Sequence, residues 1–450
     1  MAMRLAIFED HFALQFAPVS LMRPVFELLC GQFTSRERLL KSLPVDEWGV
    51  LIRPALTEVY AEQFPDARIN DAVWLGEDST LLINARWLPS NREISQLAEV
   101  SADIVGVMGD SVAYLLLDPD ESALLTTEAW DNAIKKIAET RQAVEVEGVE
   151  LQHPWDLVNQ NRRQLLADFS LCTASDQATG DAKNLTIVGS PGLVKLSASA
   201  EIDPFVVLDT RNGPVVIDED AKIQAFTRIE GPAYIGKGTQ LFRANIRAGT
   251  TAGPHCRLGG EIEESIIHGY VNKYHEGFLG HSYICPWVNL GAQTSNSDLK
   301  NDYSEVKVPL SGIPIETHTV KVGCFIGDHT KTGLNSLFNT GTSVGVMSMV
   351  LPTGELLPKH IPSFSRFWLG RIDGQINISD LFQLAEFTMQ RRGLTFSAGQ
   401  RKLLSLLLQE TAEEREQAIQ WWDQKLSSRP ALPVAQYGAL NKHAPDSFRG

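Results

Sequence analysis

No CxxC pair occurs in this chain. Its five cysteines, Cys30, Cys172, Cys256, Cys285 and Cys324, stand far apart, which argues against a paired-thiolate zinc site and against a disulfide framework. The expected compartment is the reducing cytoplasm. No apolar run approaches the roughly 18 residues of a membrane span, and "MAMRLAIFEDHF" meets acidic residues before an apolar signal region can form. Neither export nor membrane insertion is expected. Positive charge is in deficit: 40 Lys and Arg face 55 Asp and Glu, a net charge of -15, so no chain-wide basic field can hold nucleic acid or an anionic membrane. Any phosphate site must be local. What remains, 450 residues with 43% hydrophobic and 21% charged positions, is the composition of two or three ordinary globular domains.

What the chain does have is a repeat. Steps of six residues from Ile217 meet Ile223, Ile229, Ile235 and Leu241, and a second series runs Val320, Ile326, Thr332, Phe338, Val344 and Val350. Phe278, Ile284 and Leu290 continue the step between them. Hexapeptide periodicity of this kind predicts a parallel β-helix, three hexads to a triangular coil, with the aliphatic residues stacked inside. In such a coil, residues 18 to 25 apart lie about one turn apart, so His275, Asn289 and Asp298 in "KYHEGFLGHSYICPWVNLGAQTSNSDLKND" are expected to face one another.

The flanking regions have other periods. Before residue 171, short apolar runs such as 5–8, 50–52, 81–83, 104–108 and 113–117 alternate with helical patterns such as "SRERLLKSL" and "EAWDNAIKKIAET", which implies an α/β sheet over 1–170. Residues 171–192, "LCTASDQATGDAKNLTIVGSPG", read as a linker, and the coil is expected over 193–364. From 365 to 450 the hexads give way to a helical tail, in which Ser397 and Gln400 have capping-box spacing. The tail is expected on a coil end or a neighbouring subunit.

An α/β domain followed by hexads, with "LGHSYICPWVNLGAQTSNSDLKNDYSEVKV" and then "VGCFIGDHTKTGLNSLFNTGTSVG", resembles the bifunctional N-acetylglucosamine-1-phosphate uridylyltransferase/glucosamine-1-phosphate acetyltransferase family, in particular its divergent sugar nucleotidyltransferase branch. The resemblance implies a nucleotidyltransferase-like (Rossmann-like) α/β domain and a left-handed parallel β-helix. It also implies a homotrimer with active sites between neighbouring coils, acetyl-CoA as cosubstrate, and a sugar phosphate or nucleotide sugar, with a nucleoside triphosphate, as ligands.

By the same resemblance His275 is the general base that deprotonates the sugar amine, a task suited to an imidazole near neutral pH. Asn289 and Asp298 fall on substrate-binding positions, and Arg247, Lys273, Lys300 and Lys307 are candidate phosphate anchors. Lys331, in "GDHTKTG", lies where relatives bind coenzyme A. In the first domain Arg23 and Arg86 stand near the expected phosphate-binding lysine and magnesium-binding aspartate, and Asp156, in "HPWDLVNQNRRQLL", is a candidate Mg²⁺ ligand. Asp156 equally suits the first turn of a helix.

The departures are specific. Asp298 replaces an asparagine, Phe278 a tyrosine, Glu263 a lysine and Gln293 a glycine of the family pattern. The glycine-rich loop after the first strand is replaced by "EDHFALQFAPVSLMRPVFELLCG". The expected function is a sugar-phosphate transferase, acyl transfer on the coil and nucleotidyl transfer, in a degenerate form, in the first domain. The alternative is a non-catalytic trimeric scaffold or sugar-nucleotide sensor.

Overall fold

A computed structural model describes residues 3–125, 130–172, 185–352, 354–374 and 376–427. Its first part is a seven-stranded sheet in the order Gln142–Glu145, Ile104–Met108, Ser111–Leu117, Thr80–Asn84, Met3–Phe8, Val45–Leu51 and Arg68–Ile69. The strand Met3–Phe8 is apolar apart from Arg4 and buried from Arg4 onward, as a central strand covered on both faces must be. It pairs in parallel with Val45–Leu51 on one side and Thr80–Asn84 on the other. The chain order reverses there, so a crevice opens beyond the carboxyl ends of these two strands.

The second part is the parallel β-helix that the hexads predict, consistent with the left-handed coil that the resemblance implies. One face stacks Val194–Leu196, Val215–Ile217, Ala233–Ile235, Thr250–Ala252, Ile266–Ile267, Tyr283–Ile284, Cys324–Ile326, Thr342–Val344 and His360–Ile361. A second face carries Lys222–Ile223, Asn272–Lys273, Asn289 and Lys331–Thr332. The third carries Arg228–Glu230, Phe278–Gly280, Ser295–Asn296 and Leu337–Phe338. Val215 lies opposite Ala233 and Ile266 opposite Tyr283, a turn of 17 or 18 residues. Tyr283, however, lies opposite Phe325. The excess is an insertion at the corner after the third face, residues 299–321, which contains the hairpin of Lys307–Leu310 and Ile313–Glu316.

Most hexad positions point inward, among them Ile217, Ile223, Ile229, Ile235, Leu241, Ile326, Phe338, Val344 and Val350. Two do not. Val320 lies exposed in the insertion, and Leu279 rather than Phe278 fills the third face of its turn, because the step from Leu279 to the next inward residue, Ile284, is one residue shorter than a strict hexad. The linker expected over 171–192 overlaps the coil, whose first rung is Thr186–Val188; residues 173–184 lie outside the described residues. Corner residues His255, Tyr270, Trp287 and His329 have positive φ and their rings stack into a ladder ended by Phe396 of the tail.

The first domain packs on the first face of the coil. Leu29 N–H donates to Tyr283 Oη at 2.9 Å, Thr251 Oγ1 to the Gly31 carbonyl at 2.8 Å and Asn161 Nδ2 to the Gly249 carbonyl at 2.8 Å. One apolar cluster runs from Phe16, Val19 and Trp155 through Tyr283, Trp287 and Phe325 to Leu381, Phe396 and Leu404 of the tail. The tail thus bridges both parts, and Trp422 closes the coil end against Phe367. Among the described residues no helix is long and apolar enough to cross a membrane, and the five cysteines are free thiols.

Candidate functional site

The crevice of the first domain has a volume of about 960 Å³. At its floor, just beyond Met3–Phe8 and Thr80–Asn84, the Arg86 guanidinium is buried. Its Nη2 donates to Asp10 Oδ2 at 2.6 Å, its Nε to Asp10 Oδ1 at 2.8 Å, and its Nη1 to Glu150 Oε1 at 3.0 Å and the Leu151 carbonyl at 3.0 Å. Phe12 lies against its face, 4.8 Å away. Burial alone would weaken the positive charge, but the bonds and charges of Asp10 and Glu150 raise the guanidinium above its ordinary value. Asn84 Nδ2 reaches Asp10 Oδ2 at 3.1 Å, and Ser111 Oγ reaches Glu150 Oε1 at 2.6 Å. The wall adds Asp110, Asp131 and Glu145 against Lys135. The crevice is acidic.

This arrangement corrects three expectations. Arg86 is not a free phosphate ligand, because two carboxylates already saturate it. Arg23 is not in the crevice at all. It forks onto Asp328 of the coil, with Nη1 3.1 Å from Oδ2, and also donates to the Val19 carbonyl. Asp156 is a helix cap: its Oδ2 accepts the N–H groups of Gln152 at 2.8 Å and His153 at 2.9 Å at the start of Pro154–Asp168. Desolvation pushes its carboxyl up despite these bonds. The magnesium ion that the resemblance implies does not fit these residues, since a cation would meet the Arg86 guanidinium and the proposed ligand is spent on backbone amides. Among the described residues no group of three or more His, Cys, Asp and Glu is arranged to hold a metal.

On the coil, His275 is exposed at the corner between the second and third faces, and its ring leans on Tyr274 with centroids 4.9 Å apart. Asn289 lies on the second face, where its Oδ1 accepts a bond from Asn272 Nδ2 at 2.5 Å. Asp298 stands at the next corner, paired with His281. The expected convergence of His275, Asn289 and Asp298 therefore fails: the rungs align, but the three side chains leave the coil at two corners and a face.

The cations fare differently from one another. Lys273 sits in register with Leu258 and points into the coil, 2% exposed. Its ammonium donates to the carbonyls of Gly259 at 2.8 Å, His275 at 3.2 Å and Gly277 at 2.7 Å. Burial pulls it down to about 8, opposed by Glu276. It holds a corner together and is not a phosphate anchor. Arg247 bonds Glu230 and Glu261, both at 3.1 Å; Lys300 bonds Ser304 Oγ at 3.1 Å and the Glu305 carbonyl within the insertion; Lys307 pairs with Glu316 across the hairpin. Lys331 donates to the Trp287 carbonyl beside Asn289, and burial lowers it to about 8. Sequence reading did not single out His281, although Asp298 lies 17 residues on, one turn of the coil, the spacing that could have found the pair.

Residues 5–177 match the family described as sugar nucleotidyl transferase. A bifunctional sugar-1-phosphate nucleotidylyltransferase/acetyltransferase of Sulfurisphaera tokodaii is 37% identical over 31% of this chain and 36% of its own length. A bifunctional protein GlmU of Methanococcus maripaludis is 28% identical over 49% of this chain and 48% of its own. The chain thus spans about half or less of the length of these relatives. Among solved structures, an Arabidopsis UDP-N-acetylglucosamine acyltransferase is 12% identical, covering 55% of this chain and 98% of its own with a TM-score of 0.26, too loose a likeness to inform on activity.

Proposed function

We propose that this chain, whose residues 5–177 carry the sugar nucleotidyl transferase match, is a two-site sugar-phosphate transferase of nucleotide-sugar and amino-sugar metabolism. The observation that carries the proposal is the pairing of that match with a hexapeptide coil in one polypeptide, the combination named in the bifunctional relatives. The acidic crevice takes a nucleotide sugar or a nucleoside triphosphate and sugar 1-phosphate, with nucleotidyl transfer, in a degenerate form that lacks a fitted magnesium site, as its reaction. Asn84, Ser111 and the Asp10–Arg86–Glu150 cluster line its floor as hydrogen-bonding groups. The coil transfers an acetyl group from acetyl-CoA to an amino-sugar phosphate, with His275 beside the acceptor, where the resemblance implies it, and Asn289 and Lys331 as binding groups for acceptor and coenzyme.

Assembly belongs to the same proposal. The first face of the coil is covered by the chain's own first domain, so neighbours must dock elsewhere. The corner between the other two faces carries Phe205 and Phe226, stacked at 5.7 Å and exposed, with Leu334 and Leu356 also exposed, and His275 lies along it. A cytoplasmic homotrimer that meets along this ridge is our reading, and light scattering giving a monomer at micromolar concentration removes it.

The test of the chemistry is direct. Full-length protein is incubated with acetyl-CoA and a panel of amino-sugar phosphates, and free thiol is measured; in parallel, pyrophosphate release is followed with nucleoside triphosphates and sugar 1-phosphates. Thiol release that depends on the acceptor, and pyrophosphate release that depends on the sugar phosphate, are the expected results. Nucleotide-sugar binding with neither release would make the protein a sensor, the alternative function.

A further inference from the structure

We propose that the acid–base group of the coil is His281 oriented by Asp298, and that His275 only borders the acceptor. The inference rests on the acyl-transfer reading above and changes which atom receives the proton. Asp298 Oδ2 lies 2.8 Å from His281 Nδ1. A carboxylate can only accept, so Nδ1 carries the hydrogen and the lone pair is fixed on Nε2. Nε2 has no protein partner among the described residues, and the side chain keeps 15% of its surface open to solvent. Among the described residues of this chain His275 has no comparable partner: its ring leans on Tyr274.

The pair is built into the fold. His281 occupies a corner with φ of 48°, its N–H donates to the Glu263 carbonyl at 3.1 Å and its carbonyl accepts from Gly323 N–H at 2.9 Å. Both turns beside it hold its backbone. Gly280 is what lets Asp298 approach: a Cβ there would lie 2.7 Å from Asp298 Oδ2 and 2.5 Å from Phe278 Cζ. Phe278 thus flanks the pair on the outer surface of the third face, where an acceptor ring could lie. Burial pushes Asp298 up, but the His281 bond and charge and the charge of Lys321 hold it below the usual carboxylate range, so it is ionised at neutral pH. The other charged groups nearby are Glu263 on the preceding rung and Glu264 at the preceding corner, the latter tied to Arg162 of the first domain at 3.1 Å.

The chemistry follows from the geometry. A neutral amine attacks the carbonyl carbon of an acyl thioester; as the C–N bond forms, the nitrogen's proton passes to His281 Nε2. The C–S bond then breaks, and the same proton leaves with the thiolate, giving an amide and a free thiol. Asp298 stays ionised throughout and stabilises the transient imidazolium. It is a positioning residue.

The test compares His275→Ala, His281→Gln and Asp298→Asn in the full chain, with melting temperatures checked for intact folding. If the inference holds, His281→Gln lowers kcat by about 10² to 10⁴-fold with little change in KM. His275→Ala acts mainly on KM, and Asp298→Asn moves the acidic limb of the kcat/KM profile to lower pH, which loss of a merely structural bond would not do. A large kcat loss in His275→Ala with His281→Gln active overturns it. Where the wild type acylates no acceptor, the reading of function fails, and diethyl pyrocarbonate then tests the pair itself. Rapid modification of His281 whose pH dependence moves in Asp298→Asn supports a poised imidazole. Modification no faster than at His275, with no such movement, overturns it.

Discussion

Removing Arg23 tests how the two halves are joined. The Arg23 side chain is 13% exposed and the Asp328 side chain 3% exposed, and the pair spans 305 positions of sequence. Desolvation works against the guanidinium, but the charge and bonds of Asp328 hold it firmly protonated. Truncating one partner leaves the other charge buried without compensation, which costs about 3–5 kcal/mol, whereas replacing both by apolar side chains of similar volume is often nearly neutral. Arg23→Ala and Asp328→Ala should each lose about that much stability, and Arg23→Met with Asp328→Leu should recover most of it. Urea denaturation followed by tryptophan fluorescence reads this, since Trp155 and Trp287 lie in the apolar cluster that spans the junction. Nucleotide-sugar affinity, by calorimetry on the folded variants, is the second readout. A strut predicts that the two alanine variants behave alike; a phosphate ligand predicts that only Arg23→Ala binds weakly. Single variants within about 1 kcal/mol of wild type, a surface-pair value, would refute the reasoning.

Lys273→Met should remove a pH dependence. The folded chain holds this ammonium at about 8 against about 10.4 for an unfolded lysine; between those values the unfolded chain binds the extra proton, so wild-type stability rises with pH there, by up to about 3 kcal/mol, and the difference in urea midpoint from Lys273→Met should change across that window and be flat below it. Arg86→Ala strands Asp10 and Glu150 and should cost about 3–5 kcal/mol, and Arg86→Lys should fail to restore nucleotide-sugar binding in calorimetry because an ammonium cannot reproduce the fork. Phe226→Asp should convert the proposed trimer to monomers in light scattering without lowering the melting temperature of the coil, since Phe226 is 71% exposed.

The sequence determined the coil, because a β-helix is a local repeat: each inward aliphatic residue follows from its place in a hexad, and Ile217 to Leu241 and Ile326 to Val350 could be assigned before any contact was known. It also determined the alternation of strand and helix in the first domain and the Ser397–Gln400 cap, both short-range. The candidate site was less legible. The types of residue were present in the sequence, but whether Arg23, Arg86, Asp156 or Lys273 is free depends on partners that composition and spacing do not reveal. A guanidinium reads the same in sequence whether it faces a ligand or forks onto Asp10, and Lys273 has the residue type of an anchor while its rung places it inside the coil. Only the tertiary structure decided these, because a buried charge must be matched by whichever carboxylate or carbonyl the packing brings to it. Those partners came from another domain for Arg23, from another strand end for Arg86 and from the next coil for His281. The repeat fixes where each backbone runs; the corners, whose lengths vary from turn to turn, decide which side chains meet.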